Sequence, residues 1–395
     1  MLKQPQSSSK PRVLLLSAYD AGSHKRWREQ LVASQPAFDW HVLALPPRFF
    51  RWRIRGNALT WLQEPSLQEH WDLLLVTSMV DLASIRGFHS HLARTPALLY
   101  MHENQFAYPD SGKQHSSAEP KMVNLYSAVA ADGVVFNSEW NRDSFLSEAH
   151  DFLDKLPDGL PDGVIRQIRD KSRVIPVPIE DYLFRERTTP HNFSCPHLLW
   201  NHRWEYDKSP DRLLLLLDRL VEMGQEFRVS VVGEQFRNQP RVFEEIWSRH
   251  RSRLVLWGFM ESREAYDRLL HEADVVVSTA LHDFQGLSML EAMASGCLAL
   301  APDRLAYPEY VPASQRYTSL VGDPRQEARC AADTLMSLLE QKPAVKPPCE
   351  WRLTELKRSY HDAIYVTMRS DAVCSSNQER TTGACEYDEG DQGCR

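Results

Sequence analysis

A chain of 395 residues with 43% apolar and 25% charged residues has the composition of a globular protein and the length of two domains, which excludes a fibrous or largely disordered molecule. A net charge of −7 argues against a protein that coats nucleic acid through bulk charge, so any local basic cluster stands out. No apolar run approaches the roughly 20 residues that span a bilayer, and no membrane association is expected.

Residues 1–10 are polar and are expected to be loose. The run RVLLLSAY (12–19) imitates a signal core but is short and lacks a small-residue cleavage site after it, so a first β-strand is the better reading. It is followed by WHVLAL (40–45), DLLLVTS (72–78), ALLYMH (97–102), GVVFNS (133–138) and RVIPVP (173–178). After a polar, proline-containing break at 180–196 the runs resume as HLLWNHR (197–203), FRVSVVG (227–233), RLVLWGF (253–259), DVVVSTA (274–280) and CLALAP (297–302). Near-continuous apolar strands separated by amphipathic segments mark parallel sheets covered on both faces. Two such series predict an α/β protein with two doubly wound, Rossmann-like domains, at 11–185 and 190–345, facing across a cleft. One helix is well marked: Ser209 can cap it, Pro210 suits its first turn, Leu213, Leu214, Leu217, Leu220 and Val221 form its buried side, and Gly224 ends it. A helix at 346–371 is expected to pack back toward the first domain. Residues 372–395 have almost no apolar content and read as a disordered tail. Seven cysteines without a CxxC pair suggest neither a zinc site nor a disulfide framework. A reducing, cytoplasmic setting fits, with Cys195, Cys297, Cys330 and Cys349 as core or surface thiols.

In open α/β sheets, ligands sit beyond the carboxyl ends of the strands. In HRWEYDKSP (202–210), Arg203 and Lys208 lie on the loop leading into the Pro210 helix. Two cations beside a helix N-terminus make a site for a diphosphate, although the same residues would suit a solvated loop. In LHDFQGLSMLEAMASG (281–296), Asp283 and Glu291 are eight apart, with Gly286 where a helix can start. Gly286 and Leu287 would offer backbone N–H groups to a phosphate, and Glu291 could accept hydrogen bonds from a ribose diol. The bland alternative makes Asp283 a helix-cap residue and Glu291 a surface carboxylate. At the end of the fourth strand, His102, Glu103, Asn104 and Gln105 cluster four polar side chains.

The ordered set Arg203-x4-Lys208, VVGE (231–234), WGF (257–259) and Asp283-x7-Glu291 followed by AMASG resembles the donor domain of retaining GT-B glycosyltransferases. The resemblance implies that Arg203 and Lys208 hold the donor diphosphate, Glu291 the ribose and Asp283 the transferred sugar. It places Gly233 and Phe259 in loops that meet the nucleotide. The family's first acid is usually Glu, so Asp283 is one methylene shorter than the pattern. Gly22, Ser23 and His24 occupy the glycine-containing loop that faces donor phosphate and acceptor, and His102 matches the histidine beside the reacting sugar.

YMHENQFAYP, VVFNSEWNRDSF, NHRWEYDKSP, VVGEQF, WGFMESREAY and AYPEY are similar to one narrower group, the queuosine-tRNA mannosyltransferase family of glycosyltransferase-like domain-containing proteins. That resemblance spans about residues 12–339. It implies transfer of mannose from GDP-mannose to the cyclopentenediol of queuosine in a tRNA anticodon, with retention of configuration. The acceptor side would then include His24, Glu103, Asn104 and Gln105. It would also include the stretch PPRFFRWRIRG (46–56), where Arg48, Arg51, Arg53 and Arg55 alternate with Phe49, Phe50 and Trp52. Arginines can hold phosphates while aromatic rings stack on unpaired bases; a helix with snorkelling arginines is the simpler alternative. No acidic cluster stands beside a strand end, so no metal is expected. The same chemistry on a glycan or lipid acceptor, or a catalytically weak protein that binds RNA or a sugar nucleotide, remain the other readings.

Overall fold

The computed structural model describes residues 10–108, 118–157, 161, 163–236 and 239–381, with side chains as far as residue 369. The first sheet contains β1 (Arg12–Ser17), β2 (Asp39–Ala44), β3 (Leu73–Thr77), β4 (Ala97–Met101), β5 (Gly133–Phe136) and β6 (Ser172–Val174), all parallel, in the order β2-β1-β3-β4-β5-β6. The second contains β7 (His197–Asn201), β8 (Arg228–Val232), β9 (Leu254–Gly258), β10 (Val275–Val277), β11 (Leu298–Pro302) and β12 (Arg316–Tyr317), also parallel, in the order β12-β11-β10-β7-β8-β9. Helices α1 (Gly22–Ser34), α2 (Phe50–Thr60), α3 (Leu82–Phe88), α4 (Glu119–Ala130), α5 (Glu139–Leu153) and α6 (Val164–Asp170) cover the first sheet. Helices α7 (Pro210–Glu222), α8 (Val242–His250), α9 (Arg263–Glu272), α10 (Leu287–Ala294) and α11 (Pro324–Gln341) cover the second. This is the expected pair of α/β domains.

The strands are apolar on both sides because each side faces a different core. Leu14 and Leu16 enter one cluster of the first domain, while Val13 and Leu15 enter the other. In the second domain Leu198 and Trp200 part from Leu199 in the same way. Such alternation follows from the two-residue period of a strand. Each fully buried Leu or Val side chain stabilises the fold by roughly 1.5–3 kcal/mol.

Helix α7 forms where expected, with two differences. Ser209 is in the left-handed region (φ 52°) and does not cap the helix through its side chain; its hydroxyl donates to Asp211 at 2.9 Å instead. Val221 is 40% exposed, and Leu216 takes the buried place beside Leu213, Leu214, Leu217 and Leu220. Buried Arg212 reaches Glu327 of α11 at 3.0 Å, locking the two helices together.

The last helix, α12 (Leu353–Thr381), crosses back to the first domain and packs on α1, β3 and β4. Trp27 of α1 donates to the Tyr360 hydroxyl at 2.9 Å, and that hydroxyl donates to Tyr100 of β4 at 3.0 Å. Its backbone continues to Thr381, ten residues past the expected end at 371, and residues 382–395 of the expected tail lie outside the described residues. The domains also meet directly. Glu309 accepts the first two backbone N–H groups of α5, from Glu139 and Trp140, at 3.0 and 2.8 Å. Ser138 donates to the Phe284 carbonyl at 2.6 Å, and Gln285 makes a two-way pair with the Val177 backbone. Among the described residues no helix is long and apolar enough to cross a membrane.

Candidate active site

On the second domain, the loops after β7, β8 and β10 converge. Gly233, just after β8, has φ 152°, and a Cβ there would lie 1.8 Å from the His202 carbonyl oxygen, so only glycine lets the β7 and β8 loops close together. Arg203 extends from the β7 loop, its side chain 44% exposed and paired with Glu205 at 3.0 Å. Lys208 is buried. Its ammonium donates to the His282 carbonyl at 2.6 Å and stands 3.3 Å from Asp207 and 3.4 Å from Asp283. Asp283 in turn accepts the Gly286 N–H at 2.9 Å, which shapes the entry to α10. Asp283 therefore caps the turn and also faces the lysine. Burial alone would raise its pKa; Lys208 and the Gly286 N–H reverse that and hold it below the ordinary carboxylate value. Burial, aided by Lys208, lowers His202 and His282 to about 4, so both rings are uncharged near neutral pH.

Gly286 takes φ 78° at the start of α10, which leaves the first-turn amides from Leu287 onward without acceptors inside the helix. Glu291, one turn further, is buried, yet it is not free. Its Oε1 accepts from Arg26 of α1 at 2.5 Å and from both terminal nitrogens of Arg263 at 3.3 and 3.4 Å, and its Oε2 takes the Tyr266 hydroxyl at 3.4 Å. Phe259, beyond β9, is 59% exposed.

The first domain's edge is built differently. The rings of His24 and His102 stack at 4.1 Å, and Trp27 and Tyr100 meet His102 edge-on at 4.5 and 4.6 Å. Burial, and then His24, push the His102 pKa well below its ordinary value, and among the described residues neither of its ring nitrogens has a protein partner. His24 is itself buried, with Nδ1 on the Tyr19 carbonyl at 3.0 Å, so it supports His102 rather than presenting a surface to an acceptor. Asn104 also departs from its expected acceptor role. It is fully buried, its amide donates to Asn141 and Ser144, and its carbonyl accepts Phe106 and Ala107 N–H groups, so it holds the loop and has nothing left for a ligand. Gln105 is buried, with its backbone N–H on Asn124 at 2.7 Å, whereas Glu103 keeps partial exposure. Tyr19 marks where the edges meet: its phenol is raised by burial and by Glu103, and it also feels Arg203 and Glu205 of the second domain. Gly22 and Ser23, at the start of α1, are exposed, and an added Cβ at Gly22 would meet nothing within 4 Å.

A sequence profile described as tRNA-queuosine alpha-mannosyltransferase N-terminal matches residues 12–179, and one described as glycosyl transferases group 1 matches residues 195–350. The tRNA-queuosine alpha-mannosyltransferase of Drosophila melanogaster is 35% identical over 321 residues, covering 79% of this chain and 85% of that protein. The chain belongs to the tRNA-queuosine alpha-mannosyltransferase family. It is a glycosyltransferase with the GT-B fold. Anabaena HepE, solved with UDP, superposes with a TM-score of 0.58 at 14% identity, over 90% of this chain and all of that one. Sucrose-phosphate synthase from Thermosynechococcus elongatus gives 0.59 at 15% identity, over 94% of this chain and all of that one. At such identities these two likenesses speak for the fold.

Within this mannosyltransferase family member, the arginine-aromatic stretch lies on α2 and the turn before it. Phe50 packs edge-on against Tyr19 at 6.0 Å, which brings the start of α2 to the cleft. Phe49 and Trp52 are exposed, as are Arg48 and Arg51. Arg53, expected to meet phosphate, is only 8% exposed, and Arg55 is bound to Asp81 at 2.7 Å. The helical period explains the correction: positions 51, 52 and 55 turn outward, while 53 and 54 turn in. Sequence reasoning missed Arg26, Arg263, Tyr266, His202 and His282. Only Arg26 carried a signal, since it stands one turn after Gly22. Among the described cysteines, Cys297 is buried and burial pushes its thiol up to about 12, which suits a core residue.

Proposed function

We propose that this glycosyltransferase moves mannose from GDP-mannose to the cyclopentenediol of queuosine in a tRNA anticodon, retaining the α configuration and needing no metal. The observation that carries this is the arrangement of charge along the cleft. Buried Lys208, beside Asp283 and the start of α10, lies on one edge, and the uncharged, unpartnered His102 lies on the other. The family's activity supplies the substrates.

In this reading Lys208, Arg203 and the first-turn amides of α10 meet the donor diphosphate, and Glu291 takes the ribose hydroxyls. Asp283 stands where it can accept hydrogen bonds from the sugar, and His102 can bond a sugar hydroxyl without carrying charge into the site. The acceptor hydroxyl attacks the face from which the phosphate leaves. The new C–O bond forms as the sugar–phosphate bond breaks, and the acceptor proton passes to the departing phosphate oxygen. Lys208 and Arg203 stabilise the charge that grows on that oxygen, the task a divalent cation performs in other transferases. Closure of the cleft keeps out water that would hydrolyse the donor.

The test is donor choice and metal dependence together. The protein should bind GDP in preference to UDP, and transfer from GDP-mannose should continue in EDTA. Preference for UDP would remove the donor assignment, and activity lost in EDTA and restored by Mg²⁺ would remove the metal-free mechanism.

A further inference from the structure

The charged side chains on the diphosphate side of the site carry no net positive charge. Arg203 and Lys208 contribute two positive charges, while Glu205, Asp207 and Asp283, their partners at 3.0, 3.3 and 3.4 Å, contribute three negative ones. That group is net −1 before a diphosphate adds about two more negative charges. An anion entering a partly desolvated cleft is favoured by further positive charge beside it.

A spare cation stands close by. Arg26 projects from α1 across the cleft and holds Glu291 Oε1 at 2.5 Å. The same oxygen is already served by Arg263, which also pairs with Asp267 at 2.8 Å. Removing Arg26 therefore leaves Glu291 paired, so Arg26 can leave at little electrostatic cost. It is also aimed the right way. Arg26 lies four residues after Gly22, on the same face of α1. Among the described residues the space in front of Gly22 is open, since an added Cβ would touch nothing within 4 Å. An Arg side chain swinging from Glu291 toward that space meets the first turn of its own helix, where an anion is favoured.

We infer that Arg26 is a donor-binding residue that changes partner: it pairs with Glu291 in the empty cleft and with the donor diphosphate in the loaded one. The exchange relieves Glu291 Oε1 of one of its two arginines, making room for the ribose hydroxyls at the moment the phosphates gain a cation from the facing domain. Donor binding and cleft closure are thereby coupled through one side chain. The inference rests on the donor reading given above.

The experiment compares ligands with and without phosphates. Affinities for GDP and guanosine are measured by calorimetry for wild type, Arg26→Ala, the neutral but polar Arg26→Gln and the charge-preserving Arg26→Lys. Losing a charge-assisted contact to phosphate should weaken GDP binding roughly ten- to thirtyfold in the Ala and Gln variants. Guanosine should bind them as tightly as wild type or more tightly, because its ribose no longer competes with Arg26. Arg26→Lys should keep GDP binding within about threefold of wild type. Should Arg26→Ala fail to fold, Arg26→Gln carries the same expectation. Unchanged GDP affinity in both neutral variants would show that the contact with Glu291 is only a strut between domains. Tighter binding of both ligands would show that Arg26 only obstructs the site. If wild-type protein bound neither ligand, the donor assignment itself would fall, a result separate from either of these.

Discussion

On the second domain's edge of the cleft the polar groups are charged and paired: Lys208 with Asp207 and Asp283, Arg203 with Glu205, Glu291 with two arginines. On the first domain's edge they are rings and amides: His24 on His102, Trp27 and Tyr100 around them, and Asn104 tied into its own loop. The two edges sit at the same place in the same kind of sheet, so the fold does not make the difference. Their ligands do. A nucleotide diphosphate demands cations and counter-charges held at fixed distances. A sugar ring is an uncharged, hydroxyl-bearing surface, and a neutral imidazole packed among aromatic rings is suited to it.

The largest expected effect breaks the charged edge at its centre. Lys208→Ala should lower transfer by about two to three orders of magnitude, as loss of one group that stabilises developing charge does. Steady-state rates with saturating donor would measure it, and near-normal turnover would dissociate Lys208 from the diphosphate. Glu291→Gln should act more gently, raising KM for the donor about tenfold with kcat nearly unchanged, because the ribose contact exists before and during reaction. A fall confined to kcat would contradict that role.

The stretch proposed to face the acceptor gives a smaller effect. Removing the two outward charges with Arg48→Ala and Arg51→Ala should flatten the salt dependence of tRNA affinity by about 1.4–1.8 in the slope of log K against log salt. Donor hydrolysis, which needs no RNA, should survive. Trp52→Ala should weaken tRNA binding and leave the slope alone, since stacking is not ionic. Coincident binding curves for all three proteins would make α2 a plain surface helix.

Stability supplies the most general contrast. His202 and His282 are held at about 4 in the fold but return to 6.5 on unfolding, so between these values the unfolded chain binds more protons. Their contribution is complete above pH 6.5 and is lost as pH falls toward 4. Tm should therefore drop across that window. Removing the Lys208 charge should lessen the drop due to these two histidines while leaving that of His102, whose depression comes from burial and His24.

What the sequence made legible divides along the same line. Both sheets were readable because strands buried on two faces are apolar throughout, with β12, only two residues long, too short to show. The charged edge was readable as well, since Arg203, Lys208 and Asp283 lie on loops that follow strands and Glu291 on the helix that begins just after Asp283. Partnerships across the cleft were not. Arg26 and Glu291 are separated by 265 positions, and nothing in local periodicity joins them. Nor could the sequence tell a displayed polar side chain from a consumed one: Asn104 sits at a strand end like a ligand-binding residue, and its hydrogen bonds are all spent within the loop. Arg53 shows the same limit on a helix, where a single-residue shift in phase turns a phosphate contact into a buried side chain.

The most direct test is made on the nucleosides of the acceptor itself. Purified protein is incubated with queuosine-containing tRNA and GDP-mannose, the RNA is digested, and the nucleosides are weighed by mass spectrometry. Queuosine heavier by one hexose, formed in wild type and nearly absent with Lys208→Ala, is the expected result. Queuosine of unchanged mass, from folded protein that binds GDP, would contradict the assignment and move the acceptor to another class of molecule.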